Sequence, residues 1–494
     1  MGDENKFKLI ISTSHFQSSV IDLLPCNHAR KSKLINSLLE AYQLISKFDV
    51  VVDETRLFEG QGLDLVEARA LCNYHSQDYL RVIFGKQYNE RLSPDDNDRE
   101  GVRSGKAEQS PDELHDLYEL YQSLHESYVG KKRKIPRDRP GHVPGTDPEI
   151  LKLEYNLNNG DCPIFSFLPM YLDTLINSTM QLAKHLCVDT PEITANIAIN
   201  WDGGRHHAMK SRANGFCYIN DIVSLINELR KTPGQQGHKR KLTYIDLDLH
   251  HGDGVENAFN YSKDIQIISI HLFEPGFYPC TGGLKFGKPK SNNIINLPVK
   301  HGLSNSNMFE LVTNIIIPLI ELHQSDDIVI LCGGDGLNND YYNEWQLTII
   351  GLTRCIIKII AAFVGPHQPG SCKNVVLLGG GGYNELLASR FYTYLTYKVL
   401  QLAGRIPPAA TTLAAEVPHG TIDDKDKELL IKDHEHIDEY EKEYYKYWCY
   451  EIENGLDGLS FKRQINYNDT KQKPFTKYIA ELRAHYGISR ILST

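Results

Sequence analysis

The chain has 494 residues, 41% of them hydrophobic and 23% charged, with a net charge of −10, which is globular material sufficient for one large α/β domain or two smaller ones. A negative balance excludes a general nucleic-acid coat and suits partners that are themselves basic, such as lysine-rich tails. Ten cysteines run from Cys26 to Cys449 with no C-x-x-C pair, so neither a zinc ribbon nor a disulfide framework is written here, and a reducing compartment is expected.

The N-terminal MGDENKFK is charged, and Lys6 stands where a myristoylation signal wants Ser or Thr. No apolar run approaches the ~20 residues of a membrane span. The expectation is a soluble protein of the nucleus, or also of the cytoplasm. Residues 86–148 are dense in charge, Pro and Gly and read as an insertion, although PDELHDLYELYQSLHESY within it has helical spacing and an acidic start. The KKRK at 131–134 is either a nuclear-localisation signal or a solvated basic face.

From about Ile193 to Tyr383 a short apolar run, a glycine-and-charge turn and a longer helical pattern recur. The runs are NIAIN (196–200), KLTYIDLDL (241–249), IQIISIHLF (265–273), DIVILCGG (327–334) and NVVLLGGGG (374–382). Wholly apolar strands alternating with helices predict a parallel sheet covered on both faces, with helices such as Asn220–Arg230 and Met308–His323 as cover. After Ala409 the sequence turns polar and rich in Glu, Lys and Tyr, as in DHEHIDEYEKEYYKYW. The predicted organisation is one large α/β domain over residues 1–410, carrying the insertion at 86–148, with peripheral helices at 411–494 packed on it.

The stretch LTYIDLDLHHGDGVENAF puts three aspartates and two histidines between Asp246 and Asp253. Strand alternation sends Asp246, Asp248 and His250 to one side and Ile245, Leu247 and Leu249 to the other. The neighbouring runs end alike, giving His206 and His207, Asp335, and Tyr383. A single such Asp is usually a helix N-cap, but four strand ends together point to the crevice where open α/β sheets bind ligands. Asp and His ligands without cysteine suit a catalytic metal site with an open position, and imply metal-assisted hydrolysis with an imidazole as base. The glycine run before Tyr383 has no following Lys-Ser/Thr, which argues against a phosphate loop.

INWDGGRHHA, NGFCYIND, YIDLDLHHGDGVENAF, SIHLFEPGFYP, CGGDGLNND and LLGGGGYN, in this order, resemble the zinc-dependent histone deacetylases, most closely the class I branch and its fungal Hos type. The likeness is dense from about Asp161 to Tyr397 and thinner at Leu34–Tyr42. It implies the arginase/deacetylase fold and hydrolysis of the N6-acetyl amide of lysine without NAD. It also implies zinc at Asp248, His250 and Asp335, and paired histidines with His206 backed by Asp246 and His207 by Asp253. Tyr383 falls at the position that hydrogen-bonds the substrate carbonyl. Gly215 and Phe216 match the lysine-tunnel wall, and Asp161 the rim aspartate that holds substrate backbone. Asp246, Asp248, His250, Ser269 and Ile270 match an inner potassium site. Arginases share the fold but need a second metal, for which CGGDGLNND offers too few carboxylates.

This sequence departs from the family at Tyr278, where a second Phe is usual, at Cys280 for a glycine, at Tyr342 for a rim Leu or Met, and at Arg205 before the paired histidines. These changes are expected to narrow or polarise the entrance. Arg30 and Lys31 lie close to the family's arginine beneath the site, with the register ambiguous by one residue. The implied substrates are acetylated histone tails or another chromatin protein such as a cohesin subunit, and corepressor-type subunits are the implied partners. Neither direct nucleic-acid binding nor a membrane is expected. The alternatives are an acetylpolyamine amidohydrolase, kept open by the crowded entrance, and a catalytically weak chromatin scaffold, which the intact ligand set disfavours.

Overall fold

The computed structural model describes residues 7–25, 30–52, 70–84, 148–165, 167–188, 193–234, 237–284, 293–364, 372–407, 431–443 and 464–488. The strands are β1 (Phe7–Ser12), β2 (Val50–Val52), β3 (Ala195–Asn200), β4 (Leu242–Asp246), β5 (Ile265–Leu272), β6 (Ile294–Val299), β7 (Asp327–Leu331) and β8 (Asn374–Leu378). They form one sheet in the order β2-β1-β3-β8-β7-β4-β5-β6, with every pair parallel.

All residues of β3, β4, β5, β7 and β8 are buried, because alternate side chains feed two cores. Ile197, Ile245, Ile268, Ile330 and Leu377 enter one, and Ala198, Tyr244, Ile267, Val329 and Val376 the other. Helices Lys31–Ala41, Ile349–Phe363 and Glu385–Leu402 cover the first face, and Leu168–Leu186 and Asp221–Leu229 the second. Each fully buried Ile or Leu contributes about 1.5–3 kcal/mol, so strands without polar alternation are stable only in this three-layer arrangement. Asn220, Thr348 and Asn384 cap helices by accepting the N–H three residues on, each worth about 1 kcal/mol.

Two elements differ from expectation. The run at 241–249 is a strand only as far as Asp246, because carboxylates capture the amides that follow. Asp246 accepts from the Asp248 N–H, Asp335 from that of Leu249 and Asp248 from that of His250. The side-chain alternation nevertheless continues, and Leu247 and Leu249 stay in the core. The expected helix at 308–323 is interrupted by a π turn over Val312–Ile316, between Asn305–Leu311 and Ile317–His323. Pro318 has no N–H to donate to Asn314, and that carbonyl accepts instead from Arg483 Nη1 at 2.8 Å.

Arg483 belongs to the C-terminal helix Phe475–His485, whose Phe475, Ile479 and Leu482 join the first core. Tyr440, in the short 3-10 turn Ile437–Glu443, is buried there too. The insertion expected at 86–148, with its KKRK, lies outside the described residues apart from Pro148, which opens the helix Pro148–Tyr155. No disulfide joins any two of the eight described cysteines, and no described helix is long and apolar enough to cross a membrane.

Candidate active site

β3, β8, β7 and β4 are consecutive neighbours in the sheet, so the turns at their carboxyl ends deliver His206 and His207, Tyr383, Asp335, and Asp248 with His250 to one place. Ligand atoms of Asp248, His250 and Asp335 lie within 4.8 Å of one another, and all three residues are buried. His250 Nδ1 is 2.9 Å from Asp335 Oδ2 and 3.3 Å from Asp248 Oδ1. The Gly381 N–H, from the glycine run after β8, donates to Asp248 Oδ2 at 2.7 Å.

Two carboxylates buried side by side repel each other. Burial and the Asp248 charge push Asp335 up to about 7. Burial also works to raise Asp248, but the neighbouring His206 and His250 hold it well below the usual carboxylate range. Against its own burial, the same two aspartates push His250 up to about 10. A divalent cation would relieve the repulsion and take the place of the imidazole proton. The donor set, two carboxylates and one imidazole, fits catalytic zinc.

The paired histidines are differentiated by their surroundings. His206 Nδ1 meets Asp246 Oδ2 at 2.9 Å, and His207 Nδ1 meets Asp253 Oδ1 at 2.8 Å. Their rings are 4.0 Å apart. Burial opposes charge on both, but Asp246 and Asp248 overcome it at His206 and push it up to about 9. At His207 burial and the charge of His206 prevail, and it is pushed down to about 4. His206 therefore keeps its proton at neutral pH while His207 is free to accept one.

The Tyr383 ring lies 6.1 Å from that of Phe216 and 5.1 Å from that of Tyr342. Its backbone is fixed by Asp340, a residue the sequence did not single out. Asp340 Oδ2 accepts the N–H groups of Tyr383 at 2.7 Å and Asn384 at 2.9 Å, while Oδ1 accepts that of Tyr342 at 3.2 Å. One buried carboxylate thus ties together the two loops that carry Tyr342 and Tyr383.

Gly215 and Phe216 both have positive φ, 50° and 66°. A Cβ on Gly215 would lie 2.6 Å from the His207 ring and 2.7 Å from the Tyr278 hydroxyl, so only glycine leaves room here. Tyr278 packs edge-on to His207 at 5.0 Å, and Tyr342 edge-on to His250 at 4.8 Å. They are 36% and 39% exposed, so each has one side in the site and the other in solvent. Phe277, also not foreseen, stacks on His250 at 5.2 Å. Asp161 is exposed in the turn after Asn159, which accepts its N–H, and its charge reaches Tyr278 and Tyr342. Asp246 sits opposite Ser269 in the β4–β5 register, and Ile270 is buried in the core beside them.

One departure falls elsewhere than at the entrance. Arg205 donates to the carbonyl of buried Asp202. Lys31 resolves the register: its Nζ donates to the carbonyls of Gly380 at 3.0 Å and Gly381 at 3.3 Å, whereas Arg30 turns away to Glu439. Burial and the charge of Arg205 push Lys31 down to about 8. The ammonium that braces the glycine run is present below that pH and lost above it. An alkaline fall in kcat near pH 8 is therefore expected, and Lys31→Arg should move it to higher pH because a guanidinium stays charged. The pH profiles of the two proteins check this. An unmoved alkaline limb would assign it to another group.

The histone deacetylase domain model matches residues 24–399. The chain is 40% identical over 489 residues to "Histone deacetylase HOS1" of Saccharomyces cerevisiae, covering 94% of this chain and 97% of that one. It belongs to the histone deacetylase family. "Histone deacetylase 9" of Arabidopsis thaliana is 35% identical over 56% of this chain and 63% of its own. "Histone deacetylase 8" of Xenopus laevis is 32% identical over 60% and 78%. The eight-stranded parallel sheet with flanking helices is the arginase/deacetylase fold, and this histone deacetylase is a zinc-dependent hydrolase.

Proposed function

We propose that this deacetylase hydrolyses N6-acetyl-lysine in histone tails, or in another chromatin protein such as a cohesin subunit, and that it acts in the nucleus. The observation that carries this reading is His207, held by Asp253 at 2.8 Å with its ring 6.1 Å from that of His250, beside the Asp248, His250 and Asp335 cluster. Zinc held by those three residues would polarise the acetyl carbonyl and acidify water. Asp161 is assigned to the substrate backbone, and Gly215, Phe216, Tyr278 and Tyr342 to the lysine side chain. His207, oriented by Asp253, accepts the proton as water adds to the carbonyl carbon. Tyr383 donates a hydrogen bond to the oxyanion as it forms. His206, held by Asp246 at 2.9 Å, packs its ring against His207 beside the reacting centre. As the C–N bond breaks, His207 returns the proton to the lysine nitrogen, releasing lysine and acetate. Potassium is assigned to Asp246, Asp248, His250, Ser269 and Ile270, supported by the pairing of Asp246 with Ser269.

Tyr278 and Tyr342, packed edge-on to His207 and His250, support one competing reading, a deacetylase of acetylpolyamines. The test is kcat/KM of the zinc-loaded protein on acetyl-lysine peptides and on acetylpolyamines, with and without a hydroxamate chelator. Peptide turnover at least ~10²-fold above that on polyamines and abolished by hydroxamate is the expected result, since a protein-selective site rejects the wrong partner by that order. Preference for polyamines overturns the protein-substrate reading. Binding of acetylated peptide without turnover would identify a scaffold instead.

A further inference from the structure

Residues 464–468, QINYN, form a strap that ends in a turn at Tyr467 and Asn468 and whose burial pattern is inverted. Gln464, Asn466 and Asn468 are half-buried, while Ile465 is 68% and Tyr467 51% exposed. A segment lying on a protein surface ordinarily turns its large apolar side chains inward. Here the polar side chains are the anchors. Gln464 Nε2 donates to the Asn343 carbonyl at 2.5 Å, and Asn466 Nδ2 to Asn307 Oδ1 at 2.7 Å. Asn468 both accepts from the Lys300 N–H at 2.7 Å and donates to the Lys300 carbonyl at 2.8 Å. The strap crosses so closely over Gly302, at φ 80°, that a Cβ there would collide with the Ile465 carbonyl.

Its position is as telling as its pattern. Lys300 to Gly302 follow β6, and Asn343 adjoins Tyr342, so the strap lies along the carboxyl edge of the sheet, where the catalytic groups are. The Tyr467 ring is 6.0 Å from that of His301. His301 bonds Glu344 through Nδ1 at 2.6 Å and Glu274 through its N–H at 3.1 Å, and Glu274 opens the loop that carries Phe277 and Tyr278. Phe273, just before it, is 41% exposed. Gln464 bonded to Asn343, and Tyr467 beside His301, thus set this segment next to the two loops that carry Tyr342 and Tyr278. A tunnel that admits one side chain leaves the rest of a protein substrate lying across this edge.

We propose that Ile465 and Tyr467 form an accessory subsite that binds, through apolar contact, the stretch of substrate chain flanking the acetyl-lysine. The inference rests on the lysine deacetylase reading, and a minimal substrate separates the two. The zinc-loaded full chain, wild type and Ile465→Ser/Tyr467→Ser, is assayed on a lysine-rich acetylated peptide long enough to leave the tunnel on both sides and on an acetyl-lysine amide. The expected result is a KM for the long peptide raised about tenfold with kcat retained, unchanged constants on the amide, and restoration of the long-peptide KM when Tyr467→Phe is made instead. Equal changes on both substrates, or none on either, overturn the subsite. Absence of turnover by wild type on both would overturn the deacetylase reading itself.

Discussion

Asp335→Asn is expected to fold normally, to hold zinc weakly and to lose nearly all turnover. The amide oxygen can still accept the Leu249 N–H that Asp335 Oδ1 accepts now, so the local backbone keeps its partner. What disappears is one of the two anionic donors of the cluster. Removing an outer hydrogen-bond partner of a metal site costs roughly 10–100-fold in affinity, and loss of a charged donor should exceed that. Zinc per protein after dialysis, with thermal stability in metal-free buffer as the folding control, checks the expectation. Stoichiometric zinc and near-normal turnover in the variant would sink the assignment of the metal site.

The second large effect is at Tyr383. Tyr383→Phe removes a hydroxyl whose bond to the substrate oxygen strengthens as negative charge develops, so kcat should fall by about 10²-fold or more with KM nearly unchanged. An increase confined to KM would make Tyr383 a binding residue. Asp340→Asn extends the argument. Its carboxylate accepts three N–H groups from the loops of Tyr342 and Tyr383, and an amide presents an N–H of its own to some of them. Small misplacements of a reacting group are costly, and a fall in kcat of about tenfold is expected. If Asp340 acts through Tyr383, the same substitution in the Tyr383→Phe background should cost only about twofold or less, because coupled residues are not additive. Additive losses would mean that Asp340 works by another route.

The central strands were legible because burial on both faces writes an uninterrupted apolar run, as in NVVLL and DIVIL. Three strands were not read. β2 is only three residues long, and β1 opens immediately after a charged tail. β6 contains Pro298, which argues against a strand unless it lies at an edge. Among the described strands β6 pairs only with β5, and Pro298 faces His271 there. The side chains gathered at the site were also legible, since four strand ends bore chemistry at once. Asp340 was not. LNND reads as a turn, and the amides it accepts at Tyr383 and Asn384 lie 43 and 44 residues away, a pairing that no local pattern encodes. Lys31 was ambiguous by one residue in sequence, and the ambiguity ended only when the helix at Lys31–Ala41 placed one neighbour inward and the other toward Glu439.

The strand order carries a consequence for the making of the protein. β8 sits between β3 and β7, so it alone joins β2-β1-β3 to β7-β4-β5-β6. The side-chain bond between Asn196 and Asn374 that accompanies this closure spans 178 residues. On the ribosome, β3 must wait for more than half of the remaining message to be read before its second neighbour exists. During that interval two apolar strands show unpaired edges, the form most prone to pairing with the wrong chain. A nonsense mutation anywhere before residue 374 therefore removes the strand that closes the sheet, and a late truncation is as damaging as an early one.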